Sequence, residues 1–151
     1  MTASTTLFPS TPKPSLFEMM SSCLVWQGRD QSSIGIGVDR EVLHFGLSPG
    51  NWILVAKAEI RASGPETCDV QLTLEATEGA RKDEDRSKAR VGNFGYQTVP
   101  LILGTSIAHN GAVKLHVLIQ AASGTDLGAH ADLDHIVVSA IKVDRLIVGS
   151  L

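Results

Sequence analysis

The sequence predicts an all-β protein: an antiparallel β-sandwich, a jelly roll of about eight strands, preceded by an extended N-terminal arm. Three observations carry that prediction. Apolar and polar residues alternate with period two over long stretches, most strictly between Asn51 and Ala76. Turn signals recur at intervals of roughly a dozen residues. Helical periodicity is almost absent. The strands are long and come in successive pairs, without the Cys…Trp…Cys spacing of an immunoglobulin domain, and this favours the jelly roll among sandwiches.

The first segment, residues 1–20, carries Pro9, Pro12 and Pro14 among serines and threonines. Proline at that density excludes a helix and favours extended chain. The segment reads either as a disordered tail or as a docking arm. The second reading rests on Leu7, Phe8, Leu16, Phe17, Met19 and Met20, apolar anchors that a partner's groove would capture. The sandwich then occupies residues 21–151.

Ser22 to Gln27, with Leu24, Val25 and Trp26, predicts a first strand. Gly28 to Asp39 is a glycine-containing connection in which Ile34, Ile36 and Val38 alternate, as in a bulged edge strand. Val42 to Phe45 is a short strand, and Leu47-Ser-Pro-Gly50 a turn. From Asn51 to Ala62, residues Trp52, Leu54, Ala56, Ala58 and Ile60 share a face. From Cys68 to Ala76, residues Val70, Leu72 and Leu74 do the same. The Gly64-Pro65 between them predicts an antiparallel hairpin. Thr77 to Arg90 is a mixed-charge block that reads as a solvated loop. Gln97 to Ala108 alternates again, and Pro100 places it at a sheet edge or a bulge. His109-Asn110-Gly111 predicts a second hairpin turn, leading into a strand whose inner face is Val113, Leu115, Val117, Ile119 and Ala121. Ser123 to Gly128 is a loop, and Ala131 to Val148 supplies the last one or two strands.

At 151 residues the chain makes one domain and buries roughly 68–70% of its unfolded surface, so it needs no covalent staple. A net charge of −3 argues against gripping nucleic acid by phosphate neutralisation. No apolar run approaches the ~20 residues that cross a bilayer. The N-terminus lacks a basic region followed by a continuous apolar one, so no secretory signal is expected. The two cysteines, Cys23 and Cys68, make no disulfide framework. A bridge between them is geometrically open, while Cys68 on an apolar face reads as a small buried hydrophobe.

Leu47-Ser-Pro-Gly-Asn-Trp-Ile-Leu-Val-Ala-Lys-Ala-Glu-Ile60 resembles a strand of the C1q/TNF-like jelly-roll domains of bacterial and bacteriophage proteins. In that group a proline-glycine turn precedes an aromatic and an alternating apolar run. Ile136-Val-Val-Ser-Ala-Ile-Lys-Val-Asp-Arg-Leu146 is similar to their last strand, which returns to the centre of its sheet. The likeness covers about two-thirds of the chain, from Leu47 onward; the first fifty residues fall outside it. It implies a compact homotrimer serving as a recognition head, fibre tip or surface decoration. The strand faces fit such packing: Ile53, Val55 and Leu118 lie opposite the apolar faces of their strands and predict a second buried surface.

Motifs for chemistry are missing. There is no Gly-x-Ser-x-Gly elbow, no His-Glu-x-x-His and no phosphate-cradling glycine loop. His44, His109 and His116 are scattered. His130, Asp132 and Asp134 share one side of an extended segment at a spacing open to a metal, although a solvated loop explains them too. Glu59, Asp69 and Glu75 read as strand surface charges. No cofactor and no catalytic residue is expected.

The sequence therefore predicts a non-enzymatic structural protein, best matched by a bacteriophage head decoration or a fibre or spike component. It would dock on other virion proteins through its arm and trimerise through its head. Its place would be the virion, reached through the host cytoplasm; a cytoplasmic or non-classically exported surface protein is the alternative. The competing function is a lectin-like module that binds surface glycans. For that reading Trp26, Trp52 and Tyr96 are the aromatics at hand, and Tyr96 is the plausible stacking platform.

Overall fold

The computed structural model describes residues 23–122 and 128–147. The predicted arm, with Leu7, Phe8, Leu16, Phe17, Met19 and Met20, lies outside the described residues. So does most of the predicted 123–128 loop.

Among the described residues the fold is all-β: two antiparallel sheets face each other as a sandwich. In chain order the strands are β1 Cys23–Gln27, β2 Gln31–Gly35, β3 Asp39–Leu47, β4 Gly50–Ala62, β5 Cys68–Glu78, β6 Arg81–Val91, β7 Tyr96–Ile107, β8 Gly111–Ala121 and β9 His130–Val143. One sheet has the order β1-β9-β4-β7, with β2 also paired to β9; the other runs β3-β8-β5-β6. From β3 onward the chain changes sheet at every connection except β5–β6, as a jelly roll does.

The alternating strands bury their apolar faces against each other. Leu54 and Ile60 of β4 meet a layer formed by Val70, Leu72 and Leu74 of β5 and Leu115, Val117 and Ile119 of β8, with Leu133, Ile136 and Val138 of β9 beside them. Trp26 of β1 stacks on Phe45 of β3, ring centroids 3.5 Å apart and planes within 4°, which ties one sheet to the other. Trp52 is buried and donates its indole N–H to the Ser48 carbonyl at 2.9 Å, so its one polar atom is satisfied. Cys23 is exposed on β1 and Cys68 buried on β5, in opposite sheets. The bridge left open by the sequence does not form.

The connections depart from several expectations. β4 and β5 are both strands, as their periodicity predicts, but they are not a hairpin: β4 pairs with β7 and β9, and β5 with β6 and β8. Strict alternation reports which face of a strand is buried and not which strand lies beside it. Here the two apolar faces are satisfied by opposing one another across the core. The 63–67 link is a corner whose carbonyls hold the next turn: Gly64 accepts the Phe94 N–H and Pro65 that of Asn93. β7 and β8 are not a hairpin either. Neither Asn110 nor Gly111 is among the positive-φ residues. Gly111 lies in a crowded place instead: a Cβ there would stand 2.5 Å from Ile107 Cδ1 and 3.2 Å from the Thr77 carbonyl oxygen.

The mixed-charge block is a strand, not a loop. β6 forms a true hairpin with β5 through the two residues Gly79 and Ala80, and Gly79 takes φ 59°. Its charges alternate as well: Lys82, Glu84, Arg86, Lys88 and Arg90 face out. Outward charge of both signs is affordable because β6 is an edge strand. Ala131 to Val143 is one strand, bulged where it passes β4. The 42–45 strand is longer than expected, with a bulge between Glu41 and Leu43.

The inward side of β6 closes the open flank of the sandwich. β6 and β7 are the edges of different sheets, and acidic side chains stitch them. Asp85 accepts the Ile102 N–H at 3.0 Å, and Asp83 accepts the Thr105 hydroxyl at 2.9 Å. Glu78 accepts the N–H groups of Ala108 and His109 at 2.9 and 2.6 Å. Arg81 donates to the Ser106 carbonyl. β7, which carries Pro100 as an edge strand should, thus has spare donors capped by carboxylates.

Two outcomes test this account. Leu72 is fully buried on an inner strand, so Leu72→Ala should cost about 2–5 kcal/mol in urea denaturation. The Glu78 carboxyl is held below its ordinary value chiefly by the Ala108 N–H, then by that of His109. A depressed folded pKa contributes stability above the unfolded value of 4.5 and loses it as pH falls through the folded one. Glu78→Gln should therefore lower the melting temperature at neutral pH and flatten its decline below pH 4.5; parallel acid limbs would refute the stitch.

Candidate functional site

The outer face of the five-stranded sheet divides into two halves of opposite character. At the end where β1 begins, cross-strand rows set Cys23, Ile141, Ile53 and Gly104 side by side. Val25, Ser139, Val55 and Ile102 form the next row, then Gln27, Val137, Lys57 and Pro100. Val25 is 58% exposed, Ile102 64%, Val55 39% and Ile141 38%. An antiparallel sheet with one solvated face normally alternates apolar-in and polar-out. These rows do not. Leu146, from the segment after β9, lies over Gly104, and Ile147 beyond it is exposed. Ile53 and Val55 thus stand where the sequence places them, on the outside. Leu118 also faces out, but from the other sheet, at the edge of a polar depression shared with Gln71, Thr73 and Arg86. There His116 sits between Glu75 and Asp39, its ring nitrogens 3.3 and 3.6 Å from their oxygens.

Toward the other end the same face turns polar and aromatic. Thr98, Glu59 and Asp134 make one row, and Tyr96, Arg61 and Asp132 the next. The change coincides with a bulge in β9: His135 and Ile136 both stand opposite Ala58, between the pairs Lys57–Val137 and Glu59–Asp134. The bulge keeps Val137 and Asp134 on the same outer side while Ile136 stays buried. It also brings His135, at φ 50°, to Glu59, with Nδ1 2.9 Å from Oε2.

Arg61 anchors this end. Its Nη2 donates to Asp134 at 2.8 Å, and its Nε lies 3.8 Å from Asp132. Asp132 in turn accepts the Ser33 N–H at 2.8 Å and the Ser63 hydroxyl at 2.9 Å. His130 donates from Nδ1 to the Gly128 carbonyl at 2.9 Å. The three residues with metal-like spacing therefore share a strand face, yet their partners are a guanidinium, hydroxyl and amide donors, and a carbonyl. Among the described residues no group of three His, Cys, Asp or Glu side chains is gathered as a metal site.

Tyr96 is 70% exposed and lines a shallow depression with Glu59, Arg61 and Asp134. Two residues earlier, Phe94 is 64% exposed. The non-glycine residues with positive φ among the described ones are Ser33, Asn93, Phe94 and His135, and all four belong to this end. Sequence reasoning finds Tyr96 and the Asp132–Asp134 pair. It places His135 in the same polar segment without its partner Glu59, misses Arg61 as a site residue, and reads Glu59 as a plain surface charge. The signal that joins them is the register of β4 with β7 and β9, which no local pattern carries.

Compared with known proteins, the chain matches no family model and no curated protein.

Proposed function

We propose that this protein is a non-enzymatic assembly component, a C1q/TNF-like head that associates into a homotrimer through the outer face of its five-stranded sheet. The apolar half of that face carries the reading. Its rows span four strands, about 14 Å at the usual strand spacing, and cover on the order of 300 Å². Covered by further copies, it would form the apolar centre of a standard interface of ~800 Å² a side, which polar residues then rim. Burial at about 25 cal/mol per Å² rewards covering these β-branched side chains. The jelly-roll strand order and the position of β9 in mid-sheet support the likeness to that family.

On this reading the N-terminal arm docks on the particle and the head is presented outward, as in a bacteriophage head decoration or a fibre or spike protein. The protein then belongs to the virion and is assembled in the host cytoplasm. Its partners are its own copies and other virion proteins. The slight negative charge and the mixed-sign outer face of the four-stranded sheet suit protein contacts better than phosphate.

Native mass spectrometry should find three copies. Placing lysines in the rows, as Val55→Lys with Ile102→Lys, should yield folded monomers, because unpaired charges in an interface centre are costly. A wild-type monomer would overturn the proposal. Deleting residues 1–20 should leave a folded trimer that no longer binds its particle; retained binding would remove the arm from the account.

A further inference from the structure

We propose that the polar end of the five-stranded sheet's outer face is a binding site for a neutral sugar, with Tyr96 as the stacking platform and Arg61, Glu59 and Asp134 as partners for its hydroxyls. This goes beyond assembly and does not depend on it.

The chemistry of the depression selects the ligand class. Tyr96 stands directly across from Arg61 in the β4–β7 register, so an open aromatic face lies beside a guanidinium within one cross-strand pair. A purely apolar ligand would find one ring and three charged groups. An ion of either sign meets a like charge here. Arg61 is paired with Asp134 at 2.8 Å and Glu59 lies 2.9 Å from His135. An anion drawn to Arg61 would sit against Asp134 and Glu59, and a cation drawn to those carboxylates would sit against Arg61.

A neutral pyranose displaces neither. Its C–H face packs on the phenol ring. Its hydroxyls donate to the lone pairs that Glu59 and Asp134 keep and accept from the N–H groups that Arg61 has left over. Mixed donors and acceptors beside one flat apolar surface are what such a molecule presents in complement.

The site is also held in place before any ligand arrives. Asp132 is fixed by Ser33 and Ser63, and it flanks Arg61 on the side away from Tyr96. The turn before Tyr96 is strained: Phe94 takes φ 58°, an outlier for a bulky side chain. It is held there by its N–H to the Gly64 carbonyl at 3.1 Å, while Gly95 donates to Gly92 at 2.8 Å. Phe94 is nonetheless 64% exposed to water, where folding gains nothing from it. Backbone strain that persists without a packing reason marks ligand-facing segments. Fixing partners in advance lowers the entropy lost on binding.

The test is an array of neutral and acidic oligosaccharides, probed with the full chain. The strongest neutral hit is then titrated into isotope-labelled protein and followed by amide shifts. Binding should perturb Arg61, Tyr96 and Asp134. Tyr96→Ala should weaken it at least tenfold and Tyr96→Phe less than about threefold, because the ring is retained. Arg61→Gln should also weaken it. Tyr96 is largely exposed, so Tyr96→Ala should melt with the parent and a lost signal cannot be assigned to misfolding. Lys88→Gln, exposed on β6 of the other sheet, should leave the sugar affinity unchanged. An array without neutral hits, hits confined to acidic glycans, or affinity that survives Tyr96→Ala would each overturn the site.

Discussion

Each strand of this molecule has one face that must leave water, and among the described residues the surface that covers it is the inward face of the other sheet. With no helix among the described residues and no disulfide, that shared layer of Ile, Leu and Val is the core. The constraint explains why the chain crosses between sheets at almost every connection. Strands that follow one another, such as β4 and β5, are bound by facing each other, while their hydrogen bonds go to strands distant in sequence. β9, at 14 residues, changes phase against β4 partway along its length, at a bulge that also raises the local twist.

The same constraint exposes two open flanks, where the sheets end. At the β6–β7 flank, Asp83 and Asp85 take up donors of β7, and Glu78, at the end of β5, takes those of Ala108 and His109 just past it. Carboxylates do this well because they only accept, and an edge strand's spare groups include N–H donors. An edge capped in this way is a poor template for a further strand. Association through strand addition is thereby disfavoured on this flank.

Much of this was legible in the residues themselves. The period-two runs give β4, β5, β7 and β8 and nearly all their buried positions, because alternation is a local consequence of the pleat. Pairing is not local. Gly64-Pro65 and Asn110-Gly111 look like hairpin turns by composition, yet both connect different sheets; a turn residue reports chain reversal and is silent on whether the two arms share a ladder. β6 was hidden for another reason. Its periodicity is carried by charge and not by hydrophobicity, and Lys82 to Arg90 alternate in space although no apolar stripe betrays them. At the candidate site Tyr96 stood out as an aromatic flanked by glycine. Arg61 did not, since its value there comes from the β4 register that sets it between Tyr96 and Asp132.

On β9 the change from an apolar to a polar outer face has one structural origin, the extra residue at His135; β4 and β7 change character at the same level through their own residues, in unbroken register. Without that extra residue, the outward alternation of Val137, Ser139 and Ile141 would run on through His135 to Leu133, and the acids Asp134 and Asp132 would turn inward. That arrangement would place an apolar surface along the whole strand and two carboxylates in the core, where unpaired charge is prohibitive. The bulge reverses the phase, sends Leu133 and Ala131 inward, and delivers both carboxylates to Arg61. On β9, one inserted residue thus ends the apolar side and begins the polar one, in step with β4 and β7. A face made this way can be covered by another subunit at one end while the other end stays in water. Adhesion and recognition are therefore compatible on the same sheet.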